Sequence, residues 1–178
     1  VSQEILANME QMEEDNTVAD SDVLLVVLNN NNYDENQVQE IKVEKTQTND
    51  NKYQTVINGY NCTTVATINI PKISVNYPIL KGETGSDAET EALLKSSPVD
   101  FWGNDPNEVG NFCIVGHNYR NTRFFSKVPT LVNGDVIEIT ANGETVQYGV
   151  YNKYIVEPDD VSCTRQKTNG NREITLIT

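Results

Sequence analysis

Asp135-Val-Ile-Glu-Ile-Thr-Ala-Asn-Gly-Glu-Thr-Val-Gln-Tyr-Gly-Val-Tyr151 is the stretch that decides the architecture. Two short runs, Asp135 to Thr140 and Thr145 to Tyr151, flank Asn142-Gly143, the pair that most readily supplies positive φ at both centres of a type I′ turn. The reading is a β-hairpin. Similar runs stand on both sides of it. Ala66, Ile68 and Ile70 alternate before Pro71, Val75 to Leu80 follows, and Asn111 to Val115 ends at Gly116-His117. Tyr154 to Val156 and Ile174 to Thr178 complete the set. Ser86 to Ser97 interrupts with helix signals: Ser86 and Glu89 are spaced as a capping box, Leu93 and Leu94 give an apolar face, and Pro98 marks the stop. Short strands with turn signals between them predict a mainly β fold, a barrel or sandwich with one or two peripheral helices.

Residues before this region are different material. Residues 1–60 hold twelve acidic and three basic side chains, whereas 61–178 hold fourteen and ten. Ile5, Leu6, Met9 and Met12 recur at helical spacing, which predicts an amphipathic helix over 3–14. Asn29 to Asn32 is an Asn tract, and 36–52 is polar with only Val38, Ile41 and Val43 to bury. The division expected is an acidic N-terminal helix and arm over 1–57 and a β domain over 58–178. Val23 to Leu28 stands out within the arm as an apolar segment, a short strand or helix laid on the domain.

The whole chain has 178 residues and a formal net charge of −13, a balance that argues against an electrostatic grip on nucleic acid or anionic lipid. Its longest aliphatic run, Val23 to Leu28, falls far short of the roughly 20 residues a bilayer span needs. The start at Val1 in place of Met points to a chain trimmed of a preceding signal or anchor. Three cysteines, Cys62, Cys113 and Cys163, form no C-x-x-C pair, and one histidine cannot make a His-rich metal site. No metal and no cofactor is expected.

Candidate chemistry gathers at His117, directly after a strand, where Gly116 permits close backbone approach and the polar run that follows leaves the ring accessible. Taken alone, a single histidine in a loop is more often structural than catalytic. Cys113 cannot partner it from within one strand, because four residues at about 3.3 Å each separate their Cα atoms by roughly 13 Å. It suits a buried core position, while Cys62 and Cys163 sit among polar neighbours with no sign of an activated thiolate. Asp159-Asp160, Glu89 and Glu91 could hold Ca²⁺ or act as acid and base, yet EF-hand spacing is lacking and a solvated face is the default. Arg120, Arg123, Arg165 and Arg172 are candidate anion donors against a background of ordinary surface charge.

Four pieces in register carry a resemblance. Ile68-Asn69-Ile70-Pro71-Lys72-Ile73, then Gly110 through Asn118, then Phe124-Phe125-Ser126 with Gly134-Asp135-Val136-Ile137, and finally Thr175-Leu176-Ile177-Thr178 resemble a sortase from about residue 58 onward. Sortases are surface cysteine transpeptidases of Gram-positive bacteria, and their signature is Thr-Leu-x-Thr-Cys followed later by an essential Arg. The resemblance implies a sortase-like closed β-barrel, here lacking its last strand and so left with an unpaired edge. It maps His117 onto the family histidine and Thr178 onto the Thr that precedes the nucleophile and lines the substrate groove. Thr175 and Leu176 match the motif as structural residues. A chain ending at Thr178 has no position for the cysteine or the later Arg, and such a chain is expected to be inactive.

On this resemblance the full-length protein cleaves a sorting signal of the Leu-Pro-x-Thr-Gly type through a cysteine thioester and transfers it to an amine. The partners implied are sorting-signal-bearing surface proteins or pilins, and an amine acceptor of peptidoglycan or pilin. The location implied is the extracytoplasmic face of the cell membrane, held by an N-terminal anchor outside this chain. Gly116-His117-Asn118-Tyr119-Arg120 departs from the Gly-His-Arg form of several classes and points to a clostridial-type class B or D enzyme. The alternatives are a non-enzymatic β-rich surface module and a degenerate sortase-like scaffold that binds sorting signals without turnover.

Overall fold

Nine strands and one α-helix make up the described part of the chain, which in this computed structural model is the backbone of residues 23–30 and the whole of residues 54–178. The helix expected over 3–14 and the polar stretch 36–52 lie outside the described residues. In chain order the elements are β1 (Val23–Asn30), β2 (Gln54–Ile57), β3 (Tyr60–Ile70), β4 (Val75–Gly82), α1 (Asp87–Leu94), β5 (Val99–Trp102), β6 (Gly110–Val115), β7 (Val136–Ala141), β8 (Glu144–Val156) and β9 (Arg172–Ile177). They pair in the order β2-β3-β4-β5-β6-β9-β1-β8-β7, and β7 returns to β3. The result is a nearly closed mixed barrel, its thinnest seam a single ladder pair, Leu80 with Val99, between β4 and β5.

Two pairings are parallel, β4 with β5 and β6 with β9. A parallel neighbour needs a crossover, and α1 lies on the one that joins β4 to β5. Ser86 caps this helix by accepting a hydrogen bond from the Glu89 N–H at 3.3 Å. The reciprocal half of a capping box is absent: the Glu89 carboxylate turns back to the β4–α1 loop, described below.

Period two sorts the β6 side chains onto the two faces of the wall. Phe112 and Ile114 point into the barrel with Ile68, Ile70, Ile79, Ile139, Ile174 and Leu176. Cys113 and Val115 face the other way, into a second apolar layer with Leu80, Leu93, Leu94, Val99 and Ile177 that α1 covers. All six β6 residues are buried, which is why Phe112 to Val115 read as a continuous apolar run without alternation.

The hairpin at Asn142-Gly143 has φ of 51° and 78°, as a type I′ turn requires, with Ala141 opposite Glu144. Tyr154 to Val156 is not a separate strand: β8 runs unbroken for 13 residues and absorbs a bulge against β1 where Val27 faces Asn152 and Leu28 faces Val150. Strand β5 was not foreseen, nor was the β2–β3 hairpin, although Asn58-Gly59 (φ 51° and 86°) carries the same turn signal. The apolar segment Val23 to Leu28 is a strand, and it forms a stave of the wall between β9 and β8. For that reason the unpaired edge expected on β9 does not occur: β6 flanks it on one side and β1 on the other.

Candidate active site

Because β6 and β9 are parallel, their C-terminal ends reach the same rim of the barrel. The ladder runs Cys113 to Thr175, Ile114 to Leu176 and Val115 to Ile177, and the Gly116 N–H donates to the Ile177 carbonyl at 3.0 Å. Thr178 therefore stands beside Gly116. One step further along the chain is His117.

Gly116 is required by packing. A Cβ there would sit 2.5 Å from the Phe125 ring, and that close approach lets the following loop fold back over the strand end. The Phe125 N–H donates to the His117 carbonyl at 2.9 Å, Asn118 and Phe124 form a β-bridge, and the Phe124 N–H donates to the Tyr77 hydroxyl at 3.2 Å. The loop expected to leave His117 accessible instead covers it: the residue is 1% exposed. Its ring stacks on Tyr119, with centroids 4.7 Å apart and planes at 29°.

Among the described residues neither ring nitrogen of His117 has a hydrogen-bond partner. Burial disfavours the imidazolium, and the positive charge of Lys95, just past the end of α1, adds to the effect, so the pKa falls to about 4. At neutral pH the ring in this arrangement is uncharged. Thr178 is also buried, with its Oγ1 unpartnered. Three buried, unpaired polar atoms at one rim are unusual, since such groups are nearly always satisfied.

The Thr-Leu-Ile-Thr segment divides as its alternation predicts. Leu176 fills the barrel interior. The Thr175 hydroxyl donates to Asn111 Oδ1 at 2.8 Å and approaches the Cys163 carbonyl at 3.3 Å. Asn111 Nδ2 in turn donates to the carbonyls of Cys163 and Arg165 at 2.9 and 3.1 Å. This buried network ties β6 and β9 to the loop between β8 and β9, and sequence reasoning missed Asn111 because nothing in its neighbours marks it.

The cysteines are inert by position. Cys113 is fully buried, its thiol pushed up to about 12 by burial and then by the neighbouring Cys163. Cys62 and Cys163, expected in polar surroundings, are also buried, in the apolar layer under α1, and burial raises both thiols.

Glu89 overturns the expectation of a solvated face. Its side chain is 2% exposed and accepts from the N–H groups of Glu83, Thr84 and Gly85 at 3.0, 3.0 and 2.7 Å, and from the Thr84 hydroxyl at 3.0 Å. Burial works to raise its pKa, but these donors outweigh it and the net shift is downward. A Cβ on Gly82 would collide with this carboxylate. Asp159 and Asp160 are exposed, with Asp160 capping Ser162 N–H at 2.8 Å. Among the described residues no three His, Cys, Asp or Glu side chains gather where they could share a metal. Arg120, Arg123 and Arg165 are exposed; Arg123 lies over the Phe124 ring at 4.8 Å, and Arg172 begins β9 at the end remote from His117. A cavity of about 320 Å³ opens between Lys81, Gly85, Thr90, Asp100 and Trp102, and neither His117 nor Thr178 lines it.

A family model described as the sortase domain matches residues 68–178. The chain belongs to the sortase family. Among solved structures, this sortase domain is similar to a sortase D transpeptidase of Clostridium perfringens, at 28% identity and a TM-score of 0.51 over 65% of this chain and 68% of that one. It is equally similar to a lid mutant of sortase A from Corynebacterium diphtheriae (26%, TM-score 0.52, 65% of this chain and 60% of that one) and a sortase C of Actinomyces oris (27%, TM-score 0.52, 64% and 63%). The matches cover between 60% and 68% of the length of these relatives, and the identity spreads evenly over classes D, A and C. No match was found among curated protein sequences.

Proposed function

We propose that this sortase domain belongs to a cysteine transpeptidase in which His117 carries the proton and a cysteine at the position after Thr178 is the nucleophile. The observation that supports the reading is the parallel β6–β9 register, which seats Gly116 beside Ile177 and would set a residue after Thr178 next to an imidazole whose two nitrogens have no partner among the described residues. A thiolate there would favour the imidazolium and offset the burial that now keeps His117 neutral.

The thiolate attacks the Thr carbonyl of a Leu-Pro-x-Thr-Gly-like sorting signal. The scissile C–N bond breaks, a thioester forms, and His117 as imidazolium protonates the departing Gly amine. An incoming amine from peptidoglycan or a pilin then attacks the thioester and gives its proton to the neutral imidazole, and the thiolate leaves. Thr178 borders the groove with its unpartnered hydroxyl. The substrates are surface proteins or pilins bearing sorting signals, and the work is done on the extracytoplasmic face of the membrane, by an enzyme of the clostridial class B or D type.

Intact mass and thiol counting of the purified protein come first: a fourth cysteine that reacts fastest is the result expected. That protein should then cleave a sorting-signal peptide, trap a thioester of the matching mass, and lose turnover by roughly 100-fold or more on His117→Ala. Absence of cleavage with a panel of sorting signals, or turnover indifferent to His117→Ala, would overturn the reading in favour of a non-enzymatic surface module. Binding of the signal without turnover would favour a degenerate scaffold.

A further inference from the structure

Buried catalytic histidines are usually oriented by a hydrogen bond to one ring nitrogen, which fixes both the tautomer and the plane of the ring. His117 has no such partner on either nitrogen among the described residues. Something other than hydrogen bonding must hold its plane, and what touches its face is the Tyr119 ring, 4.7 Å away and tilted by only 29°. A stack of that kind covers a face of the imidazole and leaves its edge, where both nitrogens lie, untouched.

Tyr119 is itself braced. It is 7% exposed and packs on Phe124 at 5.8 Å; Phe124 packs on Tyr77 at 5.2 Å and donates its N–H to the Tyr77 hydroxyl. Arg123 closes the outer face of Phe124. The four rings Tyr77, Phe124, Tyr119 and His117 thus form a row running from β4 across the returning loop to the end of β6.

We propose that Tyr119 is the positioning residue for His117: its ring pins the plane of the imidazole at the barrel rim, so that the two ring nitrogens are presented edge-on to the reacting groups. This rests on His117 being the proton carrier of the transpeptidase reaction. Tyr119 need not touch the substrate. It acts by fixing the direction along which the proton arrives and departs, and by keeping water off the ring face. The charged groups around the row are Lys95, from the end of α1, and Arg123, one ring further out.

His117 is the only histidine in the chain, so one Cε1–H resonance reports on it without assignment ambiguity. In the 178-residue chain, that resonance is followed through a pH titration for wild type, Tyr119→Phe, Tyr119→Leu and Tyr119→Ala. The expected result is an upfield ring-current shift in wild type and Tyr119→Phe that is lost in Tyr119→Leu. Tyr119→Ala admits water and moves the midpoint up by roughly one unit toward the ordinary histidine value, while Tyr119→Phe leaves it in place. If the alanine variant does not fold, the leucine variant, which keeps the apolar volume, carries the test through the ring-current shift. Retention of the wild-type shift in Tyr119→Leu, or its loss in Tyr119→Phe, overturns the proposal.

In the active protein Tyr119→Phe should keep the pH profile of kcat, and Tyr119→Leu should displace its limb with a smaller effect on KM. A dead enzyme with an intact stack would count against the transpeptidase reading alone. An active enzyme whose histidine resonance ignores Tyr119 would count against the positioning role alone.

Discussion

Replacing Glu89 by Gln should destabilise the barrel about as much as replacing it by Ala, although Gln is nearly isosteric. The reason is the donor set. Three backbone N–H groups and one hydroxyl converge on the two carboxylate oxygens, and three of the four converge on Oε2. An amide offers only one oxygen, and its NH₂ group must then face N–H donors. Hydrogen bonds to a charged acceptor contribute about 1.5–3 kcal/mol each, but they act on one tight loop that water can reach from outside, so the combined loss is about 2–4 kcal/mol. That corresponds to roughly 8–15 °C in Tm for a domain of this size. The pH dependence separates this account from simple loss of packing. The folded pKa of Glu89 lies below its ordinary value, so its contribution is fully present above the unfolded pKa of about 4.3 and disappears as the pH falls through the folded value. Urea unfolding of wild type, Glu89→Gln and Glu89→Ala at pH 7 and near pH 3.5 is the assay. A Glu89→Gln protein within about 0.5 kcal/mol of wild type at pH 7, or a deficit that does not shrink on acidification, would refute the reasoning.

His117 should add a separate limb to the acid profile: because burial lowers its pKa from 6.5 to about 4, stability is complete above pH 6.5 and falls by up to about 3 kcal/mol as the pH drops to 4. His117→Gln should flatten that limb in pH-dependent denaturation and leave the Glu89 limb below it. Gly116→Ala should lower Tm through about 1–3 kcal/mol of overpacking against Phe125, and Phe125→Leu in the same chain should restore part of the loss. Cys62, Cys113 and Cys163 should resist a thiol reagent in the folded protein and all react once it is unfolded.

Where local chemistry alone decides conformation, the sequence was legible. Asn142-Gly143 dictates its hairpin because only certain residues tolerate positive φ at both turn centres, and Ser86 caps α1 because its hydroxyl has an orphan N–H to accept. Gly116-His117 stood out as a strand end with room for close approach, and the structure fills that room with Phe125. What depends on neighbours in space was not legible. The accessibility of His117 was misjudged because the residues after it are polar in sequence yet fold back as an aromatic row. Cys62, Cys163 and Glu89 were assigned to polar surroundings on the same faulty ground. Asn58-Gly59 carried a usable signal that went unread, whereas the place of Val23 to Leu28 in the wall, far along the chain from β8 and β9, had no local signature.

The placement of the site follows from one topological fact. In an antiparallel pair the C-terminal ends of two strands lie at opposite rims; only a parallel pair delivers both to the same one. Residues 116–117 and 178 are some sixty positions apart, and they meet because β6 and β9 run the same way. At the rim they share, both nitrogens of His117 and the hydroxyl of Thr178 are buried without a hydrogen-bond partner among the described residues. Each such atom costs about 1–3 kcal/mol, and the neighbouring network of Asn111 and Thr175, equally buried, shows that this sequence satisfies its polar groups where it can. Among the described residues Asp87 Oδ1, Asn104 Oδ1 and Ser126 Oγ are also buried without a partner, one atom to a residue, whereas His117 has both of its ring nitrogens in that state. On the proposed reading, an imidazole with both nitrogens unpaired can bond to a reacting partner without first breaking an internal bond.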